Sequence, residues 1–110
     1  MVAAAAAVEP PSHAKGAYEP IKDVNASFIQ EIGRYACIEY NRINEKKPEF
    51  TPHVYQKVVK GEQQVVGGMN YRLALMVTVN KQSQYYQAIV YDRSWESHRE
   101  LTSFRRLLQN

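Results

Sequence analysis

The sequence predicts an α+β domain in which one long helix packs against an antiparallel sheet. Three observations carry that reading. Between Phe28 and Ile43 apolar residues recur at spacings of three and four, the period of a helix with one buried side. Beyond Pro52 the period changes: Tyr71, Leu73, Leu75, Val77 and Val79 alternate with Arg72, Ala74, Met76 and Thr78, as in a half-buried strand. Short polar or glycine-bearing turns then separate the strand-like runs, which makes them successive hairpins.

Each element has its own signals. Met1 to Lys15 is alanine-rich, contains Pro10-Pro11 and reads as a disordered leader, so that a single domain is expected over 16–110. Gly16-Ala17-Tyr18-Glu19-Pro20-Ile21 should be short and extended, because Pro20 forbids helix before it and lacks a donor for a central strand. Asp23 or Asn25 is the candidate N-cap of the helix that follows. Phe28, Ile32, Tyr35, Ala36 and Ile43 form its apolar stripe, flanked by Ile29 and Tyr40; Gln30, Glu31, Arg34 and Glu39 occupy much of the rest. Gly33 costs about 1 kcal/mol relative to alanine inside a helix, so it should mark the close approach of another element. Lys46-Lys47-Pro48 ends the helix and Pro52 delays the first long strand, expected around Val54 to Lys60. Asn80 to Ser83 forms a polar turn, and Tyr85 to Tyr91 another strand with Tyr86, Ala88 and Val90 on one face. Asp92 to Glu96 is a third turn and carries the one tryptophan, Trp95. Leu101, Phe104 and Leu107 have helical spacing in a segment short enough to be a strand, and the residues alone leave the two open.

Composition excludes several function classes. A chain of 110 residues makes one domain with a modest core. Its formal net charge of +3 is too small and too dispersed for a nucleic-acid footprint. No apolar run is long enough to span a bilayer, and Met1 to Val8 lacks the basic start of a signal peptide. The single Cys37 permits no internal disulfide and reads as a small core residue. His13, His53 and His98 have neither metal-ligand nor triad spacing and read as surface residues, so no enzyme, metal or cofactor is expected.

The segment Gln64-Val65-Val66-Gly67-Gly68 joins two strands, and its glycines suit a tight turn. Adjacent valines do not, since β-branched residues resist turn conformations and a positive φ there is strained. An apolar, strained tip on a rigid hairpin suggests a probe shaped to enter a partner, though a structural turn fits these residues equally well.

Several motifs resemble those of one family, the plant cystatins, in the same order. Ile32-Gly33-Arg34-Tyr35-Ala36-Cys37-Ile38-Glu39-Tyr40-Asn41 is similar to their helix signature, Leu-Ala-Arg-Phe-Ala-Val-x-Glu-His-Asn. Val58 to Gly68 matches, without a gap, the strand leading into their Gln-x-Val-x-Gly loop. Gly16 to Ile21 resembles their Gly-Gly-Trp-x-Pro-Ile trunk, and Tyr91 to Phe104 their Pro-Trp loop and last strand. The resemblance implies a sheet of four to five strands wrapped around one long helix, with the final segment a strand. It implies reversible, competitive inhibition of papain-like cysteine proteases, while charge and composition already speak against a membrane or nucleic-acid partner. It assigns protease contact to Gly16, Ala17, Gln64, Val65, Val66, Gly67, Gly68, Ser94 and Trp95. It also implies a monomer that can exchange halves into a domain-swapped dimer about the Val65 to Gly68 hinge.

The departures from the family pattern qualify the expected grip. Ala17 replaces the second trunk glycine, Tyr18 the tryptophan, and Ala14-Lys15 the usual apolar residues. Gly67 stands where alanine or serine is common, Ser94 replaces the loop proline and Cys37 a valine. Every inhibitory element survives, two of them altered, and affinity below the family's best is expected. The competing expectation is a cystatin-fold binding protein without inhibitory activity.

Overall fold

In the computed structural model, residues 16–108 are described, so the leader expected over Met1 to Lys15 lies outside the described residues. The elements run β1 (Glu19–Pro20), α1 (Ser27–Asn44), β2 (His53–Val65), β3 (Met69–Val79), β4 (Gln82–Arg93) and β5 (His98–Arg106). All strand pairings are antiparallel, in the order β1-β2-β3-β4-β5. The predicted α+β architecture stands.

One face of the sheet is dry because its inward residues alternate as the sequence requires. Tyr71, Leu73, Leu75 and Val77 of β3 and Tyr86, Ala88 and Val90 of β4 are buried against Ile29, Ile32, Ala36 and Cys37 of α1. Asn80 and Lys81 both take positive φ, 54° and 71°, which matches the twist of a two-residue hairpin turn between β3 and β4.

β2 is longer than predicted and does not alternate. Its pairing with β3 shifts between Tyr55 and Lys57 and again between Val58 and Lys60. Two bulges bend a strand, and this bend carries β2 around the helix. Gly33 lets it come close: a Cβ built there would stand 2.5 Å from the Val58 Cγ2 and 3.2 Å from the Tyr55 ring. Gln30 of the helix meets the backbone groups of Val58. Val58 N–H donates to the Gln30 Oε1 at 3.1 Å, and the Gln30 amide donates to the Val58 carbonyl at 3.3 Å. Tyr55 OH donates to the same Oε1.

The helix is rotated from the expected stripe. Ile32 and Ala36 of that stripe are buried as expected, but its ends, Phe28 and Ile43, remain 39% and 52% exposed, while Ile29, Gly33, Cys37 and Asn44 are buried. The reason is the seam with β2, which is centred on Gly33 and Gln30 and not on the largest side chains. The N-cap is Ala26, not Asp23 or Asn25. Asp23 Oδ1 instead accepts from the Asn25 N–H at 2.9 Å, closing a turn before the helix begins.

Cys37 is a core residue, as expected; burial pushes its thiol up to about 11. His53 corrects the sequence reading, since it is buried and not on the surface. Its Nδ1–H donates to the Thr51 carbonyl at 2.9 Å, and its Nε2 accepts from Tyr86 OH at 3.0 Å. Asn41 grips the same residue twice: its amide donates to the His53 carbonyl at 2.8 Å, and its Oδ1 accepts the His53 N–H at 2.9 Å. The end of α1 is thereby pinned to the start of β2.

Candidate functional site

The strand register brings the three expected contact segments to one end of the sheet. β2 and β3 close at the Val65–Met69 pair, leaving Val66-Gly67-Gly68 as the connecting loop. Met69 also pairs with Asp92, so β4 delivers the Ser94–Glu96 turn beside that loop. Glu19 pairs with Gln63, which runs the trunk back alongside β2 until a Cβ built on Gly16 would stand 4.0 Å from the Val65 N. Segments far apart in sequence thus form a continuous edge.

The side chains on this edge are apolar and outward. Trp95 is 70% exposed on its turn, which excludes a core tryptophan, and Val65 is 58% exposed at the end of β2. Val66 is half-buried and Gly67 exposed. Neither valine takes a positive φ; Gly67 (71°) and Gly68 (130°) do. The strained valine tip expected from the sequence is therefore absent, because the two glycines absorb the turn at no steric cost. Val66 N–H donates to the Gly68 carbonyl at 2.9 Å and closes the loop.

Gln64 is only 6% exposed, and its Oε1 accepts from the Asn70 amide at 3.0 Å. It braces the hairpin neck. Ser94 is exposed, and its hydroxyl donates to the Asp92 Oδ2 at 2.7 Å, a bond that proline could not make. Ala17 is exposed, and Gly16 is half-buried beside Val65.

Sequence reasoning missed the residues that hold these segments. The Arg72 guanidinium lies 3.8 Å from the Tyr18 ring centroid and pairs with Glu62 at 2.6 Å, seating the trunk on the sheet. Buried Asp92 accepts from Arg99 Nε at 2.8 Å, and Arg99 reaches Glu31 of the helix at 3.0 Å. Tyr91 OH donates to the Gly67 carbonyl at 2.7 Å. The available signal was the alternation of β4, which places Tyr91 on the outward face opposite Asn70; the partners follow only from the register. Among the described residues no group of His, Cys, Asp and Glu side chains could hold a metal ion. What the edge offers is apolar area and close backbone on a rigid support.

Comparison with known proteins bears on the family and the fold. A family model described as aspartic acid proteinase inhibitor (SQAPI) matches residues 21–107. Cysteine proteinase inhibitor 1 of Actinidia chinensis var. chinensis is 36% identical over 94 residues, spanning 86% of this chain and 77% of that protein. Cysteine proteinase inhibitor 5 of Arabidopsis thaliana is 41% identical over 90 residues, 81% of this chain and 70% of that protein. Among solved structures, the salivary cystatin of the soft tick Ornithodoros moubata superposes with a TM-score of 0.69 at 19% identity, covering 84% of this chain and 98% of that one. Dimeric human cystatin F does so with a TM-score of 0.64 at 15% identity, covering 84% and 87%. The fold is that of the cystatins. On its sequence relatives, the chain belongs to the plant cystatin family, whose members are proteinase inhibitors and not enzymes.

Proposed function

We propose that this chain is a reversible, competitive inhibitor of papain-like cysteine proteases. The Gly16-Ala17 trunk, the Val65 to Gly68 loop and the Ser94-Trp95 loop enter the active-site cleft together. The observation that supports this most is their convergence on one edge, with Val65 and Trp95 outward and unoccupied by core packing. Burying that apolar area yields roughly 25 cal/mol per Å², and tips mounted on a sheet lose little freedom on binding. The cleft is filled without a scissile peptide being held in attack geometry, so the blocker is not consumed. The inhibitor acts as a monomer. An exchanged dimer that runs β2 and β3 on as one strand loses the tip, and with it inhibition.

The test is a papain assay at increasing substrate. Inhibition should weaken as substrate rises, with no covalent adduct by mass spectrometry. Inhibition that is indifferent to substrate, or an adduct, overturns the reading. A second reading comes from the description carried by the matching family model, an inhibitor of aspartic proteinases. Pepsin run in parallel separates the two: inhibition of pepsin alone favours the second. Inhibition of neither leaves a cystatin-fold binding protein.

A further inference from the structure

The first loop ends in two adjacent glycines, which would make it loose on its own. It is not on its own. Tyr91 OH donates to the Gly67 carbonyl at 2.7 Å, and the same oxygen accepts from Arg93 Nε at 3.0 Å. The Arg93 guanidinium then pairs with Glu96 at 2.7 Å, next to Trp95 on the second loop. Gly68 lies flat against this post: a Cβ built there would stand 2.8 Å from the Tyr91 oxygen and 3.0 Å from the Asp92 carbonyl. One hydroxyl therefore serves as donor to the first loop and acceptor from a side chain anchored in the second.

We infer that Tyr91, held by Arg93, is a positioning residue that fixes the Val66-Gly67-Gly68 loop relative to the Trp95 loop before a protease arrives. The inference rests on the cleft-blocking reading above. Its physical content is preorganisation: a glycine tip that must be ordered on binding gives up affinity, and a tip already bonded does not. A hydroxyl that accepts from a guanidinium is polarised and donates more strongly, so the two bonds support each other. Tyr91 is half-buried on the outward face of β4 and outside the buried core, so removing its hydroxyl leaves the core intact.

Tyr91→Phe and Arg93→Gln separate the clamp from the fold. Three quantities are read for each: amide hydrogen exchange at Val66, Gly67 and Gly68 in the free protein, association and dissociation rates with papain, and the thermal midpoint. In Tyr91→Phe the loop amides should exchange about tenfold faster, and papain should dissociate about tenfold faster with association nearly unchanged, since such effects reside mainly in dissociation. Arg93→Gln should lie between this variant and wild type on both measures, and both variants should melt close to wild type. Unchanged loop exchange in Tyr91→Phe overturns the clamp, and so does faster exchange with unaltered dissociation. If the wild-type chain does not bind papain, the cleft-blocking reading fails, and the exchange measurement alone decides whether the clamp exists.

Discussion

Gln30 is the residue whose role is least visible from its type. In sequence it reads as part of the polar side of a helix; in the structure its amide bonds both backbone groups of Val58, between the two register shifts of β2. Gln30→Leu should leave the Val58 N–H and C=O unpaired in a half-buried seam, at a cost of about 1–3 kcal/mol. Urea unfolding measures this, and a variant as stable as wild type contradicts the assignment. His53 makes a second prediction. Burial lowers its pKa from the ordinary value, so the folded chain binds fewer protons at this site than the unfolded chain. Its contribution is complete above the unfolded value of about 6.5 and is lost as pH falls from there through the folded value. The rings of Tyr40, Phe50, Tyr86 and Phe104 pack on its imidazole. Stability measured from pH 7 downward should begin to fall near 6.5, and His53→Gln should flatten that first decline. An unchanged slope in the variant argues against the buried neutral imidazole.

At the scale of elements, the loops invite a ranking. Val65 and Val66 are the adjacent large apolar residues of the first loop, and Trp95 dominates the second. Truncating either valine to glycine, or Trp95 to alanine, should weaken papain binding by roughly 1–3 kcal/mol. Deleting Met1 to Ala14 should cost less than either, since that stretch offers little beyond alanine. Inhibition constants for the four variants check the order, and loss of binding on deletion with Val66→Gly intact would reverse it. β5 shows why one element resisted a sequence reading. Leu101 and Phe104 both face inward although they lie three apart, because the register shifts between Ile89 and Val90 and leaves Thr102 bulged. A bulge adds one residue to a period of two, and the sum imitates a helical spacing. Phe104 then stacks on Tyr40 of α1 at 4.2 Å and on Tyr86 of β4 at 5.0 Å, contacts that a short helix would not reach in this register.

For the whole molecule, the question is whether the hairpin opens and lets two chains exchange halves. Strain in a β-branched tip would drive that opening, but here Gly67 and Gly68 take the positive φ values and little strain is stored. The wild-type chain should therefore remain monomeric until it is heated or partly unfolded. Gly67→Val puts a β-branched residue at φ 71°, where open space removes any clash and leaves only the backbone cost, of order 1–3 kcal/mol. Size-exclusion chromatography after heating should show more dimer in this variant than in wild type, and that dimer should not inhibit papain. Equal dimer fractions, or an active dimer, would remove the strain mechanism.

The sequence by itself determined the α+β class, the helix, the two-residue alternation of β3 and β4, the core place of Cys37 and the close approach at Gly33. Each of these depends on a local period or on one residue's shape, which short windows of sequence carry. Motif order also marked the three segments that the register brings to one edge. Tertiary structure alone decided the rest: the burial of His53 and Gln64, the rotated helix stripe, the bulges of β2 and β5, and the bonds from Tyr91, Arg93 and Arg72 that seat the edge. These depend on strand register and on which helix side meets the bent strand. Both are settled by partners tens of residues away, where no local spacing reaches.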